Sequence, residues 1–265
     1  MSQSMLDALA RRFGDVDPND FSNETPPLWE TMASHTSCRD FTEERVSLAQ
    51  LRALAAIALS LPSKSDLQQR DIVIIENEQT RLELVNILSS GPLGQDWIKK
   101  APSLLVICGN NRRLRQMHEW QEKPFVNDHL DALYNPVLDA GITLAGMVMA
   151  AQAAGLGCCP ISAVRNKPDA VSDLLNLPDH VFPAVGLAVG YPAERREIKA
   201  RLPLTTTVHI DRFDETGIRQ QIDSYEKRRN SLDGSRWPEQ KTNQYSKPER
   251  QDFGAFAKAK GFRLE

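Results

Sequence analysis

The sequence lacks the features of a membrane or secreted protein. No apolar run approaches the roughly 20 residues that cross a bilayer, and the N-terminal stretch MSQSMLDALARRFGDVD lacks the apolar core of a secretion signal. Neither sign of charge predominates, because 32 Lys and Arg face 35 Asp and Glu. A net charge of −3 gives no broad attraction for nucleic acid or an anionic membrane. We therefore expect a cytoplasmic protein with neither of these partners.

Cysteine is scarce, and its spacing does not indicate a metal site. The four cysteines are Cys38, Cys108, Cys158 and Cys159. They show no metal-ligand spacing, and a disulfide between adjacent residues is strained. We interpret them as reduced thiols and predict no bound metal.

The 265 residues are enough to bury a substantial core, and 41% of them are hydrophobic. Residues 1–30 resemble a tail or a wrapping arm, and 31–265 are predicted to form the main domain. The predicted strands are 72–75, 103–108 and 181–189. The predicted helices are 28–32, 48–61 capped by Ser47, 79–89 ended by Gly91-Pro92, 136–154, 168–175, 215–228 and 249–260. Strands that alternate with helices indicate a layered α/β or α+β fold.

Three connecting segments are polar or broken by proline. Residues 109–135 are polar and long enough to form a surface excursion or lid over a site. Residues 191–210 are basic and broken by proline, which indicates a loop, and a loose stretch surrounds Trp237-Pro238. Basic side chains of the second segment, above all Lys199 and Arg201, could bind an anionic ligand, although a solvated charge run is the alternative.

The segment His35–Arg39 could hold a phosphate. In an extended chain, side chains two apart share a face, so His35, Ser37 and Arg39 would converge. Charge-assisted hydrogen bonds from such a group are about twice as strong as neutral ones. The alternative is a surface arginine with incidental neighbours.

Three further segments could meet a planar ligand. Ser63-Lys64-Ser65 with Gln68 forms a polar turn, and Gly94-Gln95 precedes Trp97. Either could equally be an ordinary cap or loop. The third segment, Gly155–Arg165 (GLGCCPISAVR), offers a tight turn and small residues that would let a flat ring lie against the backbone, followed by a fixed cation.

In this order, the segments resemble the nitroreductase family, and most closely its NADPH-dependent flavin reductases and oxygen-insensitive nitroreductases. His-Thr-Ser-Cys-Arg at 35–39 is similar to the family's H-R-S-x-R motif, and Gly155–Asn166 is similar to G-L-G-x-x-x-I-G-G-x-R-N. The stretches Leu177–Pro192 and Lys199–Pro203 match two more family patterns. Each motif alone is weak, but their shared order is specific.

The resemblance implies an α+β fold with a central mixed sheet flanked by helices, in an intertwined homodimer with FMN at its interface. It implies reduction of FMN by NADPH, or by NADH, and a ping-pong transfer of electrons to nitroaromatics, quinones or free flavin. No side chain is predicted to be catalytic, since the flavin carries the hydride chemistry. The residues implied in cofactor binding are His35, Thr36, Ser37, Cys38, Arg39, Ser63, Lys64, Ser65, Gln95, Ile161, Ser162, Ala163, Val164 and Arg165.

Some positions depart from the family pattern. Thr36 replaces an arginine, Ser162 and Ala163 replace a glycine pair, and Pro160 stiffens the segment before them. These changes keep two alternatives open. One is a specialised enzyme such as a reductive dehalogenase or a flavin-fragmenting oxidase, and the other is a non-catalytic FMN-binding dimer.

Overall fold

A computed structural model of the chain describes residues 3–21, 26–90, 95–194, 196–229 and 234–265. The chain divides into two compact units. The smaller unit is Met1–Thr36 with Arg195–Pro248, and the larger is Ser37–Glu194 with Glu249–Glu265. The division between residues 30 and 31 stays a prediction, and the expected helix stop at Gly91-Pro92 lies outside the described residues.

Four strands form one sheet in the larger unit. They are β1 (Arg70–Ile75), β2 (Ser103–Asn110), β3 (Gly157–Ile161) and β4 (Val181–Gly190). Their order in the sheet is β1-β2-β4-β3, and every pairing between these described strands is antiparallel. The α+β class is confirmed, but this part of the sheet is antiparallel where the sequence resemblance implied a mixed one.

The helices are numbered along the whole chain. They are α1 (Gln3–Phe13), α2 (Pro27–Ala33), α3 (Leu48–Leu59), α4 (Glu78–Ser89), α5 (Arg112–Trp120), α6 (Asp131–Ala153), α7 (Pro168–Leu174), α8 (Leu204–Thr207), α9 (Ile218–Arg228), α10 (Trp237–Tyr245) and α11 (Phe253–Ala259). The larger unit contains α3 to α7 and α11. As predicted, Ser47 caps α3, where its Oγ accepts the N–H of Gln50 at 3.2 Å.

Helices cover both faces of the sheet, which explains the unbroken apolar sequence of β2. Leu104 and Val106 point into the cluster that contains side chains of α4 and α7. Leu105 and Ile107 point into the opposite cluster, with side chains of α3 and α6. Because successive side chains of a strand point to opposite faces, a strand between two helical layers is apolar throughout.

Helix α6 packs against the face of the sheet that contains Leu105 and Ile107. Among the described helices, it is long and apolar enough, by length and composition, to cross a membrane. The sequence therefore holds a longer apolar segment than expected. However, Asp139 lies at its centre with 0% exposure, and Ala140, Met147 and Ala151 pack in the core. These are features of the core helix of a globular unit.

Several element predictions were wrong. Helix α6 begins at Asp131 instead of Pro136, with the Asp131 carboxylate accepting from the Asn135 side chain at 2.8 Å. Helix α5 lies within the 109–135 excursion, whose role as a lid stays a prediction. The Gly155–Arg165 segment contains β3, which pairs with β4. The stretch at Trp237 forms α10, because Pro238 lies in its first turn, where a missing N–H is tolerated. Helix α11 is shorter than predicted.

The smaller unit contains α1, α2, α8, α9 and α10. Residues 3–13, within the segment predicted to be a tail or a wrapping arm, form α1, in which Met5 and Ala8 are buried against Ala33 of α2. Within the predicted 191–210 loop, Leu204–Thr207 forms the short α8. The Asp15 carboxylate accepts the N–H groups of Leu204 at 2.7 Å and Thr205 at 2.9 Å. These bonds satisfy two donors at the start of that helix.

Candidate functional site

The segment after Ser37 runs beside the sheet. The N–H of Cys38 donates to the carbonyl of Cys158 in β3 at 2.9 Å, and that of Thr42 donates to Tyr191 at 2.9 Å. Cys38 is buried against Gly157, where an added Cβ would lie 2.6 Å from the Cys38 Sγ. Its neighbours Ser37 and Arg39 stay half-buried. Ser37 and Arg39 therefore flank a buried residue, and the convergence of their side chains stays a prediction.

Arg39 lies against Trp97. The guanidinium carbon is 5.7 Å from the centroid of the Trp97 ring, within the range of a cation–π interaction. This contact places the predicted phosphate segment next to the Gln95–Trp97 segment, where Gln95 is half-buried. Gly94 lies outside the described residues. Within the described ranges, no carboxylate forms an ion pair with Arg39. Its N–H groups can therefore donate to an anion.

The Ser63–Gln68 turn has a strained backbone. Ser65, Asp66 and Gln68 have φ angles of 49°, 55° and 49° in the left-handed region, which costs a non-glycine residue energy. The Ser63 Oγ accepts the N–H of Gln68 at 3.2 Å, and Lys64 and Ser65 are exposed. Strain of this kind persists only where neighbouring groups hold the backbone in place.

Asp139 of α6 holds this turn. One carboxylate oxygen accepts the N–H of Lys64 at 2.8 Å, and the other accepts the N–H of Gln69 at 2.9 Å. Arg70 forms an ion pair with the same carboxylate at 3.6 Å, and both side chains are almost fully buried. The charge of Asp139 is therefore compensated, and both ends of the strained turn are fixed to the core helix.

The segment Ile161–Arg165 ends β3 and forms a single 3₁₀ turn. Ala163 and Val164 are buried in the core, whereas Ser162 and Arg165 are half-buried. The Ser162 Oγ accepts from the Arg250 guanidinium at 3.3 Å, and the Asn166 side chain accepts from it at 3.0 Å. Because Cys38 pairs with β3, the strand connects the Arg39 segment with the segment that ends at Arg165.

The other predicted site residues lie in the smaller unit. His35 and Thr36 are half-buried, and Lys199 and Arg201 are exposed. In the chain as described, neither Lys199 nor Arg201 has an ion pair with a carboxylate. Arg195, at the start of the predicted basic loop, lies outside the described residues.

The sequence reasoning missed two supporting residues. Asp139 had a usable signal, since a lone carboxylate in the middle of an apolar helix needs a buried partner. Arg250 had none, because it belongs to a polar stretch of ordinary composition, and only the fold places it beside Ser162 and Asn166.

Comparison with known proteins explains this set of segments. The model of the nitroreductase family matches residues 32–191, and the model of its C-terminal domain matches residues 199–265. The chain belongs to the nitroreductase family. Both matches begin after α1, so that helix lies outside the two matched ranges.

Relatives in the nitroreductase family cover most of the chain. The FMN reductase [NAD(P)H] of Bacillus subtilis is 28% identical over 89% of this chain and 98% of its own length. The oxygen-insensitive NADPH nitroreductase of Salmonella typhimurium is 34% identical over 71% of this chain and 75% of its own. The structure of NfrA2 from Bacillus megaterium superposes with a TM-score of 0.83 at 30% identity, covering 91% of this chain and all of that one.

Proposed function

We propose that the protein is an FMN-dependent NAD(P)H oxidoreductase. The observation that carries this proposal is the position of Arg39, a half-buried cation without a carboxylate partner in the described chain, stacked on Trp97 beside Gln95. Relatives named as FMN reductases and NADPH nitroreductases support the same activity. A fixed cation next to an aromatic and an amide suits a ligand that joins a phosphate to a polar ring.

The residues present fit FMN. Ser37, Arg39 and Arg165 would hold the phosphate and the ribityl chain, since two cations and a hydroxyl are suitable donors, and Cys38 is proposed to fix this segment to β3 through its N–H bond to Cys158. The Ser63–Ser65 turn and Gln95 would meet the polar edge of the ring, and the backbone of 161–164 would lie against it. His35 and Thr36 are proposed to complete the set of residues that bind the phosphate.

Bound FMN would supply the chemistry of hydride and electron transfer between the nicotinamide and the acceptor. The chain itself needs no acid or base for this chemistry. Its contribution is orientation: Asp139 fixes the Ser63–Ser65 turn through two backbone N–H groups, and Arg250 fixes Ser162. Donors held in this way can stabilise negative charge on a ligand without reorganising.

NADPH is the proposed electron donor, with Lys199 and Arg201 at its 2′-phosphate. Both side chains are exposed, and neither is neutralised by a carboxylate in the described residues. A 2′-phosphate distinguishes NADPH from NADH, so cations at this position favour the phosphorylated nucleotide. The proposed acceptors are small molecules such as nitroaromatics, quinones and free flavin.

We propose a cytoplasmic homodimer that uses the exposed face of α6. Tyr134, Val137 and Leu138 are 57%, 46% and 41% exposed, and the small residues Gly141 and Ala145 continue the same face. Helix α3, which packs beside α6, adds exposed Ile57 and Leu59. Contiguous apolar patches of this kind mark interaction sites, and small residues let a second helix approach closely. Sedimentation equilibrium should give twice the chain mass.

Steady-state kinetics of purified protein test the proposed function. The protein should copurify with FMN and should oxidise NADPH only when an acceptor is present. Plots at several fixed acceptor concentrations should give the parallel lines of a ping-pong cycle. FMN retention without turnover against any acceptor class would favour a non-catalytic binding dimer, and a flavin-free protein would overturn the proposal.

A further inference from the structure

The backbone of Arg201 is held from both sides by two other arginines. Its N–H donates to the carbonyl of Arg12 in α1 at 2.5 Å. Its own carbonyl accepts from the guanidinium of Arg228 in α9 at 3.2 Å. The Arg201 side chain stays exposed beyond this double attachment. All three residues belong to the smaller unit.

The Arg12 carbonyl is itself firmly placed. The Arg12 side chain is only 7% exposed, and its guanidinium donates to the carbonyls of Ala33 at 2.9 Å and His35 at 2.7 Å. Burial, and next the neighbouring charge of Arg201, lowers the pKa of Arg12. The end of α1 is thereby fixed to the segment that begins the phosphate motif.

Arg228 completes the arrangement. Its guanidinium donates to the carbonyl of Arg12 at 3.1 Å as well as to that of Arg201. Gly14, just after α1, has a φ of +79°, and a Cβ there would lie 2.5 Å from the Arg228 Nε. The chain can turn beneath the guanidinium only because this residue is glycine.

The guanidinium groups of Arg12 and Arg228 are therefore both occupied with carbonyl groups, and that of Arg228 contacts the Arg201 backbone directly. Arg201 keeps its donors for an anion, and its neighbours add positive potential. A backbone ordered before the ligand arrives loses less conformational entropy on binding, which raises affinity.

We propose that Arg12 and Arg228 are positioning residues for Arg201, so that α1, which precedes the family match, forms part of the site for the 2′-phosphate of NADPH. The inference rests on the proposed function, in which Arg201 meets that phosphate. Arg12 and Arg228 act through the Arg201 backbone and do not themselves contact the nucleotide.

Kinetics of the FMN-loaded enzyme with NADPH and with NADH test this inference. Arg228→Gln should raise the KM for NADPH about tenfold, the order of one lost hydrogen bond to a charged group. The kcat, and the KM for NADH, should stay unchanged. Inhibition by adenosine 2′,5′-bisphosphate should weaken by the same factor, while inhibition by 5′-AMP should not change. Arg12→Lys should shift the same values in the same direction.

Arg11→Gln is the matched control, because Arg11 is exposed on the same helix. It should leave both KM values at wild-type levels. If Arg228→Gln does not fold, Arg228→Lys tests the positioning role instead. One ammonium group cannot reproduce the two guanidinium bonds, so this variant should give the same selective rise in the KM for NADPH.

The variant Arg201→Gln separates this inference from the proposed function. An unchanged KM for NADPH in that variant removes Arg201 from the nucleotide site, so it overturns this inference and the Arg201 assignment but leaves the FMN-dependent activity standing. A raised KM in Arg201→Gln with wild-type values in Arg228→Gln and Arg12→Lys overturns the positioning role alone. An equal rise in KM for NADPH and NADH in the Arg228 variant also contradicts it, because a general loss of structure would not select for the 2′-phosphate.

Discussion

The carboxylate of Asp139 accepts the backbone N–H of Lys64 at 2.8 Å, although 75 residues separate the two along the chain. With the bond to Gln69, this contact connects the core helix to a turn whose backbone would be unfavourable in isolation. A residue that never touches the ligand thus sets the shape of a surface proposed to meet the flavin ring.

Asp139→Asn should destabilise the protein and weaken its hold on FMN. The amide presents one acceptor instead of two, and the buried Arg70 loses its counter-charge, so we expect a loss of about 3 kcal/mol in the free energy of unfolding. Urea unfolding and FMN titration measure the two effects. Asp131→Asn on the same helix keeps an acceptor for Asn135 and should behave as wild type. Wild-type stability in Asp139→Asn would refute this role.

Arg39→Ala should reduce FMN affinity without unfolding the protein. A phosphate would lose a charge-assisted hydrogen bond of roughly 1.5–3 kcal/mol, which corresponds to about a 10- to 150-fold rise in Kd. Fluorescence titration of the apoprotein with FMN gives this value. Arg52→Ala, at an exposed position of α3, is the control. Equal Kd values for the two variants would remove Arg39 from the phosphate site.

Arg250→Ala should weaken FMN binding by a smaller factor. The guanidinium donates to Ser162 and Asn166 on either side of Arg165, so its loss frees that turn. Loss of one net hydrogen bond of about 1 kcal/mol predicts roughly a fivefold rise in the Kd for FMN. Arg236→Ala removes an exposed arginine from another ion pair and should leave Kd unchanged. No rise in Arg250→Ala would show that the turn holds its shape without this arginine.

The cysteines should react slowly in the folded protein. All four are buried, and burial raises the pKa of the Cys108 and Cys158 thiols to about 12. Because the thiolate is the reactive form, a higher pKa and lack of access both slow modification. Ellman's reagent at pH 8 should label few thiols in native protein and all four after unfolding in guanidinium. Rapid labelling of the native protein would contradict this burial.

The Asp128–Arg115 ion pair predicts a loss of stability in acid. A hydrogen bond from Arg115 lowers the pKa of Asp128 below its ordinary 3.8. Such a carboxylate stabilises the fold above its unfolded-state pKa, and that contribution disappears as the pH falls through the folded-state pKa. Asp128→Asn should therefore cost about 1–2 kcal/mol at neutral pH and progressively less below about pH 4. Asp223→Asn, at the exposed pair with Arg236, is the control and should show no such pH dependence. A constant difference between Asp128→Asn and wild type at every pH would rule out this linkage.

Much of the layered fold follows from local patterns in the sequence. The apolar run Leu104–Cys108 and the capped repeat after Ser47 identify β2 and α3, because side-chain periodicity and capping are local properties. The exact sheet pairing and the start of α6 do not follow. They depend on long-range contacts, such as the packing of the Cys38 side chain against Gly157, which has no Cβ.

The candidate site also has a part that the sequence predicts and a part that it does not. The segments themselves could be named from their order along the chain, but their supports could not. Trp97 under Arg39, Asp139 behind the Ser63–Ser65 turn and the arginines around Arg201 are each far from their partners in sequence. Helix α1 was missed although Met5, Ala8 and Leu9 recur at helical spacing, and these three side chains pack in one cluster with Ala33 of α2.

Anaerobic titration of the purified protein with NADPH tests the central claim most directly. The account predicts that the protein carries about one FMN per chain and that one equivalent of NADPH bleaches its visible absorption band, which returns when an acceptor is added. A protein whose bound flavin keeps its oxidised spectrum in excess NADPH and in excess NADH would contradict the account.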